Sequence, residues 1–278
     1  MLNKIIENKK REVELAKKNF PLSRFKNKLE KSSRNFKEAL LRKKLSLIAE
    51  IKRVSPSQNV ISQKNALSFS PKRFFEIIKI YNRYADAISV LTDKKFFSGS
   101  LEDLRNVSRM TNLPVLRKEF IIDEYQIYEA RLYGADAVLL IASVLPQEQI
   151  NDFIAIAGSL NMECLVEVNN SEELQKVLGS EANIIGINNR NLNTLEIDMN
   201  TTPELLKKIP KSKIIVSESG ITNKDYLRKI EGKVNAILVG ALFMNSTRLE
   251  EEISSLIQLE SQDDKSKNMR NYELWRCG

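Results

Sequence analysis

The chain of 278 residues has no histidine and two cysteines. Without histidine it lacks the side chain that titrates nearest neutrality, so acid–base work falls to carboxylates and lysines shifted by their surroundings. Two cysteines, Cys164 and Cys277, lie far apart and give little from which to build a zinc site. No metal is expected, and no disulfide. Cys164 sits in an apolar run and reads as a small buried hydrophobe, a usage that suits a reducing cytoplasm. No apolar run approaches the ~20 residues that a membrane-spanning helix needs. Met1 to Arg11 is charged throughout and offers no signal-peptide core. No G-x-G-x-x-G follows any apolar run, which removes the dinucleotide fingerprint. The net charge of +8 comes from lysines and arginines spread along the chain with acids between them. No basic block is interleaved with aromatics as in a nucleic-acid groove, so the excess charge suits anionic small molecules better than nucleic acid.

What is present is a repeated alternation. From about residue 45 a short β-branched run is followed by a longer amphipathic segment, eight times over. The predicted strands are Leu45–Lys52, Ala87–Leu91, Pro114–Lys118, Ala137–Ala142, Cys164–Val168, Ile184–Asn188, Ile214–Ser217 and Ala236–Val239. Helix starts fall between them at Ser70-Pro71, Asp123-Glu-Tyr-Gln126, Ser171-Glu-Glu, Thr202-Pro203-Glu204 and Thr222-Asn-Lys-Asp225. Eight strand–helix units with both sheet faces covered predict an α/β fold of the (β/α)8 TIM-barrel type over 45–260. An open doubly wound sheet is the competing arrangement. Residues 1–44 are lysine-rich with helical apolar spacing (Ile5, Ile6, Val13, Leu15, then Phe36, Ala39, Leu40) and predict a helical extension packed on the barrel. Residues 261–278 form a polar tail in which Tyr272 and Trp275 are the only candidate anchors.

Charges interrupt this apolar pattern where the predicted strands end. Glu50 and Lys52 stand two residues apart in Leu45-Ser-Leu-Ile-Ala-Glu-Ile-Lys52, so both point to one face of a strand that otherwise reads as buried. Burying such groups is costly unless they are paired. Lys118 closes the third strand, Glu167 lies in the fifth, Asn188 closes the sixth with Arg190 just beyond it, and Glu218 follows the seventh. In this type of barrel, chemistry sits at the C-terminal strand ends. Convergence on one barrel mouth explains these charges better than separate solvent contacts do. Glu218-Ser219-Gly220 and Gly240-Ala241 each precede a helix at the seventh and eighth strand ends. There the backbone can approach an anion and N–H groups are free, as at the usual barrel phosphate site.

Together these stretches resemble the indole-3-glycerol-phosphate synthase family. The matching segments are Ile48-Ala-Glu-Ile-Lys-Arg-Val-Ser-Pro-Ser57, Ser89-Val-Leu-Thr-Asp93 with Phe97-Ser-Gly-Ser100, Pro114-Val-Leu-Arg-Lys-Glu-Phe120 and Gly134-Ala-Asp-Ala-Val-Leu-Leu-Ile141. Leu165-Val-Glu-Val168, Gly186-Ile-Asn-Asn-Arg-Asn-Leu192 and Val216-Ser-Glu-Ser-Gly-Ile221 complete the set, and the resemblance runs over about residues 1–260. It implies a phosphorylated, carboxylated small-molecule substrate and no cofactor. The fold can work alone and no heptad or exposed apolar stripe stands out, so a cytoplasmic monomer or weak homo-oligomer is expected. The resemblance also implies that Lys118 is the acid for ring closure, a role a lysine fills near pH 7 if burial and neighbours lower its pKa. Lys52 would pair with the substrate carboxylate or share acid duty. Glu167 would be the base or would stabilise a cationic intermediate. Glu50 would orient Lys52 or Lys118, and Glu218 would position the substrate. Asn188 and Arg190 would bind substrate hydroxyls or order the site. Ser55 would contact substrate and Phe120 would pack on its ring. Ser219, Gly220, Gly240 and Ala241 would hold the phosphate.

Three departures from the family pattern stand out. Glu119 replaces the usual aspartate, Gln58-Asn59 replaces a basic residue and glycine, and Ala241 replaces a polar side chain. Two other readings of the chain are another phosphate-binding barrel enzyme, such as a ribulose-phosphate isomerase, and a non-catalytic basic binding protein. The chain length is expected to leave no room for a fused neighbouring enzyme.

Overall fold

A computed structural model describes residues 1–54 and 70–257. Ser55, Gln58, Asn59 and the tail 261–278 with Cys277 lie outside the described residues. Eight parallel strands close on themselves in sequence order. They are β1 Ser46–Ile51, β2 Ala87–Leu91, β3 Val115–Lys118, β4 Ala137–Ile141, β5 Glu163–Val168, β6 Ile184–Asn188, β7 Ile214–Glu218 and β8 Ala236–Val239. Each strand bound lies within one residue of its predicted position. The strands are buried almost throughout, because helices cover the outside and side chains fill the inside. Closure, rather than an open sheet, follows from β1 pairing with β8 as well as β2. No helix among the described residues is long and apolar enough to cross a membrane.

The helices form where caps and apolar spacing agree. Pro71–Tyr84 buries Phe74, Ile77, Ile78 and Tyr81 on one face, and the Ser70 side chain accepts from the Arg73 N–H. Asp123 and Gln126 form the expected capping box on Glu124–Leu132. Two predicted caps move by one residue, because an asparagine stands beside the hydroxyl. Asn170 caps Ser171–Leu178 in place of Ser171, and Asn223 caps Lys224–Ile230 in place of Thr222. The Thr202 hydroxyl is buried and donates to Asn189 Oδ1 at 2.8 Å instead of capping a helix.

Interior side chains stack in layers drawn from alternate strands. Ala87, Ala137, Ile184 and Ala236 come from the even strands, and Ile48, Leu116, Leu165 and Val216 from the odd ones; all belong to one buried cluster. Two residues further along each odd strand come Glu50, Lys118, Glu167 and Glu218. The last odd-strand layer of the core is therefore ionic.

The opposite end of the barrel sets the height of that layer. Asp86, directly before β2, accepts the Leu47 N–H at 2.9 Å. Asp136, directly before β4, accepts the Val115 N–H at 2.8 Å, and Asn235, directly before β8, accepts the Ile215 N–H at 2.8 Å. Three odd strands, β1, β3 and β7, are thus pinned at their starts by the residue directly before the next strand.

The N-terminal segment runs along the barrel from mouth to base. Helix α1, Leu2–Asn19, buries Leu2, Ile5, Lys9 and Val13 on one stripe. Leu15, predicted to pack, is instead 59% exposed, because it falls off that stripe. Phe36 and Leu40 are fully buried and join the barrel-interior cluster beside the start of β1. Arg34 fixes this segment: its Nε lies 2.7 Å from Asp136 Oδ2, and its Nη atoms donate to the Ser108, Thr111 and Gly134 carbonyls and to Ser108 Oγ. Arg34→Ala leaves Asp136 and three carbonyls short of a donor. It is expected to lower the unfolding free energy by about 3–5 kcal/mol, checked by urea denaturation; a loss below about 1 kcal/mol would show that Arg34 does not hold the base.

Candidate active site

At the C-terminal strand ends lies a cavity of about 320 Å³, within the range of small-molecule sites. Its walls include Glu50, Lys52, Lys118, Phe120, Glu167, Asn188, Arg190, Ser219, Gly220, Gly240 and Ala241. Glu218 is fully buried and does not line the cavity; it meets the site through Lys118. Ser55 lies outside the described residues.

The ionic layer is tightly connected. Glu50 Oε1 takes Lys52 Nζ at 2.7 Å, and Glu50 Oε2 takes Lys118 Nζ at 3.3 Å. The same carboxylate therefore orients both lysines, where the sequence left the choice between them open. Lys118 Nζ also donates to Glu218 Oε2 at 2.7 Å. Two glycines, Gly186 in β6 and Gly240 directly after β8, make room for these carboxylates. A Cβ at Gly240 would run into Glu50, and one at Gly186 would run into Glu218 Oε1. Gly240 thus has a second role beyond lining the cavity.

The charges push the titrations apart. Burial opposes ionisation of Glu50, but Lys52 and Lys118 outweigh it and pull its pKa down to about 2. Burial also works against the Lys118 ammonium, yet Glu218, Glu50 and Glu167 raise its pKa above the ordinary lysine value. This reverses the lowering expected from the sequence: three nearby carboxylates keep the lysine charged. Glu167 goes the other way. Burial and the neighbouring Glu218 raise it to about 7, against the pull of Lys118 and a hydrogen bond with Asn188. The layer therefore holds a fixed anion, a fixed cation and one carboxyl that can carry or release a proton near neutrality.

The rest of the cavity is shaped for a mixed ligand. The Phe120 and Phe97 rings tilt against each other with centroids 6.1 Å apart. Leu2 and Ile5 from α1 and Leu192 add apolar wall. Arg190 is fixed by its N–H to Asn188 Oδ1 at 2.9 Å and by Nη1 to the Leu195 carbonyl at 2.8 Å. Ser219 and Gly220 both have positive φ, 65° and 75°, and a Cβ at Gly220 would strike Met199 and Ile197. Only glycine meets both demands at 220.

Several functional neighbours escaped the sequence reading. Asn189, 1% exposed, donates to the Ser219 carbonyl at 3.0 Å and to Tyr226 Oη at 3.1 Å. It accepts from both the Thr202 N–H and hydroxyl, tying the β6 exit to the left-handed loop after β7. Its signal was present, since Asn189 lies inside the Asn-Asn-Arg match. Arg53 grips Asp103 through two bonds of 2.9 and 2.7 Å and fixes the exit of β1. Among the described residues no group of three or more potential ligands is arranged to hold a metal ion.

The family model described as indole-3-glycerol phosphate synthase matches residues 2–256. The chain belongs to the indole-3-glycerol phosphate synthase family. It is 40% identical to a protein of that name from Thermoanaerobacter pseudethanolicus, over 93% of this chain and 97% of the relative. It is 42% identical to one from Alkaliphilus metalliredigens, over 92% and 97%. It is also 45% identical to the tryptophan biosynthesis protein TrpCF of Buchnera aphidicola subsp. Schizaphis graminum, over 92% of this chain and 55% of the relative. The chain thus spans about half the length of TrpCF and nearly the whole length of the two synthases.

The Glu167 environment makes a stability prediction whose sign follows from its raised pKa. An ordinary carboxyl in the unfolded chain ionises near pH 4.5, whereas folded Glu167 ionises near 7. Folding is therefore penalised progressively as pH rises between those values, and not below them. Glu167→Gln removes the penalty. Urea unfolding is expected to show the variant gaining stability over the parent from pH 5 to 8; a constant or shrinking margin would contradict the raised pKa.

Proposed function

We propose that this chain catalyses ring closure, decarboxylation and dehydration of 1-(2-carboxyphenylamino)-1-deoxyribulose 5-phosphate to indole-3-glycerol phosphate, CO2 and water. The observation that carries the reading is one cavity in which a Lys118 ammonium stands beside a carboxyl, Glu167, that titrates near 7. Family membership supplies the reaction, and the residues present suit its steps.

In the first step the ring carbon bearing the carboxylate bonds to the ribulose carbonyl carbon. Lys118 donates a proton to the carbonyl oxygen, which becomes a hydroxyl. Held charged by Glu50 and Glu218, Lys118 gives up its proton only as that oxygen becomes strongly basic, so its help is concentrated in the transition state. Lys52, 2.7 Å from Glu50 Oε1 and part of the cavity wall, is placed to meet the substrate carboxylate. Loss of CO2 returns an electron pair to the ring. The hydroxyl then leaves as water with a second proton, and the methylene carbon between the nitrogen and the former carbonyl carbon gives up a proton to Glu167, so the indole double bond forms and the nitrogen keeps its hydrogen. Two protons enter and one leaves, so each turnover takes up one, which balances the conversion of a carboxylate into neutral CO2.

Phe97 and Phe120 would flank the aromatic ring, and Asn188 and Arg190 the sugar hydroxyls. Backbone N–H groups around Ser219, Gly220, Gly240 and Ala241 would receive the phosphate. Ala241 offers only its N–H there. The direct test is the fluorescence of indole-3-glycerol phosphate formed from the carboxyphenylamino substrate. The parent protein is expected to turn over; a folded protein with no product at high enzyme concentration would overturn the reading. Lys118→Ala is expected to lower kcat at least ~10²-fold with a smaller change in KM, and a kcat within a few-fold of the parent would remove Lys118 from the acid role.

A further inference from the structure

A second charge interrupts an apolar stripe, on α1 rather than in the barrel. Lys9 falls among Leu2, Ile5 and Val13 on the buried face of that helix and is 4% exposed. Its ammonium meets three carboxylates: Glu12 Oε2 at 2.7 Å, Asp93 Oδ2 at 2.9 Å and Glu119 Oε1 at 3.0 Å. An ammonium so far removed from water persists only with such partners.

Both distant partners are built into the cavity wall. Glu119 lies in the chain between Lys118 and Phe120. Its Oε1 accepts the Phe120 N–H at 2.8 Å, and its Oε2 accepts from Thr92 Oγ1 at 2.8 Å. Asp93 Oδ1 accepts the Phe96 N–H at 2.7 Å and caps the helix Lys94–Phe97. That helix ends in Phe97, whose ring leans on Phe120 across the cavity. On the other side of Lys9, the same helix α1 supplies Leu2 and Ile5 to the cavity. One ammonium therefore joins the apolar roof, the turn after Lys118 and the helix that carries Phe97.

We propose that Lys9 is a positioning residue for the reaction, a clasp through which α1 holds Glu119 and Asp93 and so aligns Lys118 and the Phe97–Phe120 pair. The proposal rests on the proposed reaction for its kinetic consequence, but the clasp itself is read without turnover. Lys9→Met keeps the apolar stem and removes the charge. The two carboxylates then face each other with only the longer Arg117 contact to Glu119, at 3.9 Å, to offset them, and the bonds to the Phe120 and Phe96 N–H groups loosen. Lys9→Met/Glu119→Gln removes one of the two facing charges while keeping a side-chain oxygen for the Phe120 N–H.

Two measurements on the full chain decide the matter. Native-state hydrogen exchange on Lys9→Met is expected to show faster exchange at residues 94–99 and 118–121, with the strands around 137–141 and 214–218 unchanged. Steady-state kinetics, at a temperature where the variant is folded, is expected to show kcat reduced about tenfold and recovered several-fold by the added Glu119→Gln. Exchange that rises evenly over the chain would show Lys9 to be a general stabiliser and overturn the proposal. So would a kcat within twofold of the parent, or a double variant no better than the single one. If the parent itself shows no turnover, the proposed reaction falls, and the exchange pattern alone decides the clasp.

Discussion

The Lys118 ammonium stands between two carboxylates, 2.7 Å from Glu218 and 3.3 Å from Glu50, inside a closed barrel. Everything else at the mouth depends on that arrangement. Glu50 can stay ionised while buried because Lys118 and Lys52 share it. Lys118 can stay charged because more negative than positive charge surrounds it. Glu167 is then the odd carboxyl left over: burial and the neighbouring Glu218 disfavour its anion, and Lys118, shared with Glu50 and Glu218, offsets them only in part. A carboxyl near neutrality emerges from this competition in a chain with no histidine to supply one.

The barrel is what keeps the competition in register. The four ionic residues come from alternate strands at equivalent heights, two residues beyond the apolar layer of Ile48, Leu116, Leu165 and Val216. Side-chain bonds from Asp86, Asp136 and Asn235 pin three of those strands at the far end. Gly186 and Gly240 leave space for the carboxylates. At the base Arg34 meets a carboxylate and three backbone carbonyls, while the mouth carries buried charges offset by each other.

Much of this was legible in the residues. Strand positions emerged because buried parallel strands are continuous β-branched runs bounded by caps, and the eight runs here are unambiguous. Glu50, Lys118 and Glu167 were visible because charge in such a run has few structural explanations. Three things were hidden. The direction of the Lys118 shift depends on how many carboxylates reach it, which spacing along the chain does not reveal. The jobs of Gly186 and Gly240 depend on side chains from neighbouring strands. Lys9 looked like one more lysine in a basic segment, since a helical stripe with one charge in it is common on a surface; only docking on Asp93 and Glu119 distinguishes it.

Site-resolved titration of the carboxyl groups by carbon NMR, with glutamate labelled at the side-chain carboxyl, probes the competition most directly. One resonance, absent in Glu167→Gln, should titrate near pH 7, and Lys118→Met should move it higher still, because the ammonium lowers it. If instead every glutamate titrates within the ordinary range of about 3 to 5, or the Glu167 resonance is indifferent to loss of Lys118, the ionic layer does not govern this site.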